Sequence, residues 1–492
     1  MKFETNQRPV AQDPSLLQGL RKMLIGGQWR EGRAGFADIR DPANARVIGQ
    51  VTLASPADLN DALDAAQAGF RIWKEWPALS RSRVLWRAAA NLRENIGLLA
   101  RAITAEQGKI LSEAHAEAQF SIEVLEWYAA EAARVYGRII PSRSHATRFM
   151  VLKEPVGPVA AFVSWNFPAT NVMRKVAGAL AAGCSIVIKP AEETPASANI
   201  IAQAFCDAGL PDGVLGVVFG NPDQVSSQLL NSPITKAVTF TGSTRVGRLL
   251  QTLATPTLKR CTLELGGHAP VIVHDDASID EAVRLSCIAK YRNAGQACVS
   301  PSRFLVMPQV YDVFLEGFTK AAQALNVGPG TSETSSMGPV FSQARLSYMQ
   351  SLTTDAVAQG ARLVAGGHRV DREGFYFQPT VLANVPTTAR IMNEEPFGPI
   401  AIINRVTDLD EAICEANRLP VGLGSYAFAR DSAVKNRLVR ELDSGLVILN
   451  SMVGSLAETP FGGIKESGYG LEGGSEGIEA FLQNKFVSDT QE

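Results

Sequence analysis

From residue 157 onward the chain alternates short β-rich runs with helix-period segments, and this alternation constrains the fold more than any other feature. Residues 158–165 read as a strand and are followed by a helix over 169–182. Residues 185–189 read as a strand before a helix over 196–208, and 214–219 as a strand before a short helix. Ala237–Thr241 is a strand before a helix that opens at Thr244. Strands that alternate with helices pair in parallel and need helices on both faces. Such sheets bind ligands beyond the carboxyl ends of their strands. Here those ends are Trp165-Asn166, Lys189-Pro190, Gly220 and Gly242-Ser243. A second β/α series begins near 269, with strands over 270–273, 303–307, 400–406, 426–429 and 446–449 and a helix over 278–292. It reads as a second α/β domain, in keeping with 492 residues.

Upstream, Leu59, Ala62, Leu63, Ala66, Phe70 and Trp73 fall at helical spacing behind Ser55-Pro56, a good helix start. Further helices are expected near 79–108 and 111–136, and the first dozen residues read as a polar arm. An apolar fraction of 46%, a charged fraction of 20% and a formal charge of −2 describe an ordinary globular protein with no basic stripe for nucleic acid. No long uncharged apolar run suggests a membrane span. Six scattered cysteines without a Cys-x-x-Cys pair suggest reduced thiols in a cytoplasm, and the histidines show no metal-ligand spacing, so no metal site is expected.

Four segments could carry chemistry. Cys298 follows the expected helix end at Asn293-Ala294-Gly295 and so lies on a loop, where a thiolate could attack a carbonyl and leave a thioester. A lone cysteine is more often a small core residue. Glu264, between Leu263 and Leu265 and ahead of Gly266-Gly267, could be a general base raised by burial, or the exposed face of a strand. Asn166 could donate to a developing oxyanion, or simply shape a turn with Pro168. The segment from Phe240 to Gly247 places a helix N-terminus after a strand, where a phosphate could sit, yet it is neither G-x-G-x-x-G nor a P-loop.

Together these segments resemble the aldehyde dehydrogenase superfamily. The resemblance rests on Trp165-Asn-Phe-Pro168, Lys189-Pro-Ala-Glu192, Phe240-Thr-Gly-Ser-Thr244, Leu263-Glu-Leu-Gly-Gly267, Gly295-Gln-Ala-Cys298, Glu394-Glu-Pro-Phe-Gly-Pro399 and Pro460-Phe-Gly-Gly-Ile-Lys465. They occur in the family's order and span most of the chain. The resemblance implies Cys298 as nucleophile, Glu264 as general base, Asn166 as oxyanion donor and Lys175 as support for that network. It implies an NAD(P) site from Trp165, Lys189, Glu192, Gly242, Ser243, Glu395 and Phe397. Glu192 would accept from a ribose 2′-hydroxyl and repel a 2′-phosphate, which favours NAD, while Lys189 leaves NADP possible. The presence of Glu264 points to hydrolysis of the thioester rather than transfer to coenzyme A.

The implied fold has a Rossmann-like cofactor domain (1–133 and 154–266), an α/β catalytic domain (267–465) and a small β oligomerisation extension (134–153 and 476–492), which would give a homodimer or homotetramer. Arg174, Arg292 and Ser455 match positions that grip the distal carboxylate in succinate semialdehyde dehydrogenases, and arginine forks suit planar anions. The sequence departs from that subfamily at Ser300, Tyr291 and His268, so other anionic semialdehydes, including sulfonated ones, fit the same arginines. The competing readings are an aldehyde dehydrogenase of broad, aromatic or aliphatic specificity and a catalytically silent structural paralogue.

Overall fold

The computed structural model describes residues 21–491. The expected polar arm lies outside them. The first β/α series forms an eight-stranded sheet in the order Gln28–Arg30, Met23–Ile25, Leu215–Val217, Ile186–Lys189, Val159–Phe162, Ala237–Thr241, Arg260–Glu264 and Gly468–Tyr469. Its five central strands run parallel. Antiparallel strands finish both edges. Every residue of Val159–Phe162 and Ile186–Lys189 is buried, as expected for a sheet covered on two faces.

The helices on those faces follow from local chemistry. Pro56–Trp73 opens with a reciprocal Ser55–Asp58 capping box. Thr170–Ala182 is buried on nearly all sides and stops at Gly183. Trp73 Nε1 donates to the Leu180 carbonyl over 2.9 Å and so locks these two helices together. The stretch expected as one helix over 79–108 is two, Ala78–Glu94 and Ile96–Gln107, because Asn95 leaves helical geometry. The next helix, Leu111–Glu131, ends before 136 in a short 3₁₀ turn.

The second series forms a seven-stranded sheet in the order Arg362–Ala365, Thr380–Ala383, Ile400–Arg405, Arg303–Val306, Pro270–Val273, Gly424–Phe428 and Leu446–Leu449. Its first two strands were not expected from the sequence. Arg362–Ala365 sits on the edge, is half exposed and spans only four residues. A third sheet joins Leu482–Thr490, Thr147–Pro155 and Arg138–Ile140. Its long pair runs antiparallel from Leu482 against Pro155 to Thr490 against Thr147.

Leu180 is completely buried where the first sheet meets its helices. Leu180→Ala should destabilise the protein by about 2–5 kcal/mol through lost burial and a residual cavity, read as a lower urea midpoint.

Candidate active site

The two large sheets face one cleft of about 690 Å³, lined by Trp165, Asn166, Arg174, Gly242, Ser243, Glu264, Arg292, Cys298, Glu395, Phe397 and Ser455 among others. Most of the residues singled out from sequence therefore converge. Lys189 and Glu192 sit apart from this lining, at the end of the neighbouring strand Ile186–Lys189. They form an ion pair of 2.5 Å, and Glu192 also accepts from the Gly220 amide at 3.1 Å. Lys175 is wholly buried behind the cleft.

Cys298 is carried by a strained turn. The helix Ile279–Tyr291 gives way to a 3₁₀ segment, Arg292–Gly295, in which Asn293 (φ 53°) and Ala294 (φ 50°) are left-handed. Gly295 continues this at φ 72°, and a β-carbon there would lie 2.2 Å from the Gly398 carbonyl oxygen. Only glycine fits such an approach. Non-glycine residues in this region cost free energy and persist where their surroundings hold them. Here the Asn293 amide N–H donates to Glu113 at 3.0 Å, and its side chain accepts from Gln107 at 2.9 Å. Gln296 closes the turn by donating to the Asn293 carbonyl and accepting from the Phe341 amide.

Cys298 is partly open to the cleft. Burial of its sulfur, with Glu395 and Glu264 nearby, pushes the thiol up to about 12, against a smaller opposing influence from Arg174. The side chain of Asn166 accepts from Ser164 at 2.7 Å and from Asn171 at 3.2 Å, and its Nδ2 donates to the Gln296 carbonyl at 3.2 Å. That donor is thus held against the Cys298 loop.

Glu264 ends the strand Arg260–Glu264, and neither of its buried carboxylate oxygens has a hydrogen-bond partner. Burial, then the adjacent Glu472 carboxylate, holds its pKa well above the usual range, while Lys175 and Arg174 oppose this. Lys175 pairs directly with Glu472, which also accepts from Thr239 at 3.3 Å.

The far end of the cleft differs from expectation. Arg174 is buried, donates to Ser455 Oγ at 2.5 Å and lies 4.3 Å from the Phe461 ring centre, with its Nε unpartnered. Arg292, expected beside Arg174 as a grip on a substrate anion, is exposed and lies 5.7 Å from the Phe167 ring centre. It caps the helix Ile279–Tyr291 from outside the core. Among the described residues neither arginine forms an ion pair with a carboxylate.

The residues present fit a dinucleotide. The helix Thr244–Ala254 starts at the cleft behind Gly242 and Ser243, so the positive end of its dipole is directed there. A β-carbon on Gly242 would meet the Phe240 ring at 2.3 Å, so the chain stays bare at that approach. Trp165 stacks on Phe341 with centres 4.0 Å apart and meets Phe397 edge-on. Phe397 is left-handed at φ 42°, and Arg345 donates to its carbonyl at 2.8 Å. Glu395 is pushed up to about 8 by burial, against the Gly267 amide, Arg345 and Lys290.

Several site residues had no sequence signal strong enough to find them. Glu472, ahead of Gly473-Gly474, repeats the carboxylate-and-glycines pattern of Glu264, and that pattern could have exposed it. Lys109, Glu113, Glu117, Asn293 and Arg345 look like ordinary helix or loop residues in one dimension. The unusual residues noted beside the cysteine turn away from the cleft. Tyr291 donates to the Thr380 carbonyl, Ser300 Oγ accepts from Lys290, and His268 is held between Ser302 and the Ile391 carbonyl.

A thiol, an unpartnered buried carboxylate and an amide donor thus converge on one cleft, beside a helix N-terminus at the end of a parallel sheet. The model of the aldehyde dehydrogenase family matches residues 29–487, and the chain belongs to that family. It is 47% identical to the 4-(hydroxymethyl)benzenesulfonate dehydrogenase TsaD1 of Comamonas testosteroni, covering 95% of this chain and 97% of that one. It is 39% identical to the NADP(+) succinate-semialdehyde dehydrogenase GabD of Escherichia coli, with the same coverages. The crystal structure of succinate-semialdehyde dehydrogenase from Burkholderia pseudomallei matches with a TM-score of 0.95 at 40% identity, over 97% of this chain and 99% of that one. The protein is thus an NAD(P)-dependent aldehyde dehydrogenase.

A thiol raised to about 12 stays protonated at neutral pH. In the ligand-free protein, alkylation of Cys298 by iodoacetamide should keep rising about tenfold per pH unit to pH 10, without the plateau of an ordinary thiol near 8.5. Mass spectrometry of the Cys298 peptide reads this directly.

Proposed function

We propose that the protein oxidises an aldehyde bearing a distal anion, such as succinate semialdehyde or a sulfonated aldehyde, to its carboxylic acid through a thioester on Cys298. The observation that carries this reading is Arg174, a buried guanidinium at the cleft with an unpartnered Nε and, among the described residues, no ion-paired carboxylate. A buried charge without a counterion is costly, and an anionic substrate would supply the partner. Ser455 and Arg292 line the same cleft. Relatives named for benzenesulfonate and succinate-semialdehyde substrates support the same class.

The chemistry follows from the arrangement. The Cys298 sulfur adds to the aldehyde carbon as its proton passes to Glu264 and on to solvent. The oxyanion is received by Asn166 Nδ2 and the Cys298 backbone N–H. NAD(P), when bound, supplies the hydride acceptor. Trp165, Gly242, Ser243, Glu395 and Phe397 would hold it in the cleft, and Lys189 and Glu192 its distal ribose, with Glu192 favouring NAD. Glu264, backed by Lys175 through Glu472, takes a proton from water as the water attacks the thioester.

The half-exposed third sheet, with Ile139 and Phe486 turned outward, is read as the oligomerisation extension of a homodimer or homotetramer. The division at 133, 154, 266 and 465 is retained as the domain reading. Six free cysteines accord with a cytoplasmic setting. A second substrate reading, a neutral aromatic aldehyde, is favoured by the Phe120, Phe167 and Phe461 rings that line the cleft.

Arg174→Ala should lower kcat/KM for succinate semialdehyde and 4-sulfobenzaldehyde by about 10–100-fold, as expected for loss of a charged hydrogen bond, and leave hexanal and benzaldehyde nearly unchanged. Equal losses on all four aldehydes would remove the anion reading. Glu264→Gln should slow turnover by about 10²-fold or more and accumulate an acyl adduct on Cys298 detectable by intact mass. Because the Glu264 pKa is raised, a working base is lost as pH falls through that raised value. Wild-type hydrolysis of the thioester should accordingly decline on the acid side well above the ordinary carboxylate range.

A further inference from the structure

A buried ion pair lies directly beneath Asn166 and takes no part in the mechanism above. Lys109 and Glu117 are both about 1% exposed in their side chains and meet at 2.6 Å. Lys109 Nζ also donates to the Asn166 carbonyl at 2.9 Å and sits 4.0 Å from the centre of the Phe167 ring. Glu117 Oε1 accepts from the Ala169 amide at 2.9 Å and the Thr170 amide at 3.3 Å, at the start of the helix Thr170–Ala182. The pair therefore holds the segment 166–170 from both sides, by its first carbonyl and by its last two amides. The Asn166 carbonyl has one other partner, Asn293 Nδ2, also at 2.9 Å.

Taking two charges out of water is unfavourable, and such pairs give little net stability over an apolar substitute. The gain must be geometric. A transition-state donor has to be placed to within a fraction of an ångström, and a displacement of about 1 Å can cost about 10²-fold in rate. Asn166 occupies a non-helical segment between a strand and a helix, where nothing in the regular hydrogen-bond ladders fixes its peptide plane. Lys109 does so with a rigidly paired ammonium.

We propose that Lys109, anchored by Glu117, is a positioning residue that sets the Asn166 side chain for the oxyanion. This rests on the reading of Asn166 as an oxyanion donor. Lys109 itself touches no reacting atom.

The test is a double-mutant cycle between Lys109→Met and Asn166→Ala, with kcat, KM for succinate semialdehyde and KM for NAD measured on purified full-length protein. Asn166→Ala alone checks the underlying reading, and it should lower kcat about 10²–10³-fold. Lys109→Met should lower kcat by about tenfold or more, leave KM for NAD within twofold, and cause no further loss in the Asn166→Ala background. Where Lys109→Met loses its fold, Lys109→Met/Glu117→Gln removes both charges and retains the acceptor for the Ala169 and Thr170 amides, so the same cycle is run on it. A folded variant with wild-type kcat, or a loss that multiplies with that of Asn166→Ala, overturns the proposal and leaves the role of Asn166 intact. An Asn166→Ala protein with undiminished kcat overturns the role of Asn166 instead.

Discussion

The side-chain amide of Asn293 joins the two halves of the cleft. From the turn before Cys298 it donates to the Asn166 carbonyl, on the opposite wall, and to the Gln296 carbonyl of its own turn, while its oxygen accepts from Gln107 at the end of an early helix. The amide groups are buried, so each lost bond would leave an orphaned polar atom with a full desolvation cost. The loop that carries Cys298 and the loop that carries Asn166 come from different sheets. Without this knot, each could drift on its own scaffold. The left-handed run Asn293-Ala294-Gly295 is the geometric consequence, since only a tight reversal brings the amide inward and the thiol back to the cleft.

Charge is distributed around that knot in two groups. Glu264, Glu472 and Lys175 lie on the side of the first sheet, and Glu395, Arg345 and Lys290 on the side of the second. In both, burial dominates and cations only partly compensate. Both carboxyl groups are consequently held above their ordinary range, and both raise the thiol between them. Lys290 shows the reciprocal effect, lowered to about 7 by burial. Burial thus pushes Glu264, Glu395 and Lys290 toward their neutral forms, a direction of shift that suits groups exchanging protons during a reaction.

The third sheet depends least on this centre. Thr147–Pro155 is mostly half-buried and Leu482–Thr490 mostly exposed. Its stability comes from a long antiparallel register and from pairs such as Phe149 with Phe486, whose rings lie 5.5 Å apart. The chain returns to it only after Gly468–Tyr469 has paired with the strand that ends in Glu264, so the C-terminal segment is tied to the first sheet before it reaches the third.

The sequence by itself determined the parallel α/β architecture, the strand ends at which a ligand could bind, and the identity of Cys298, Glu264 and Asn166 as chemistry-bearing candidates. Period-two and helical patterns are local, and the strand-end motifs are contiguous, so both survive in one dimension. The break at Asn95 and the half-exposed strand Arg362–Ala365 were not legible, because one residue and a four-residue edge run are too short to set a periodicity. Only the tertiary structure decided that Glu472 stands beside Glu264, that Arg174 is buried while Arg292 faces solvent, and that Lys109 and Glu117 underpin Asn166. These pairings join residues tens to hundreds of positions apart. Their burial and partners arise from how the helices pack across the sheets, a property no local pattern records.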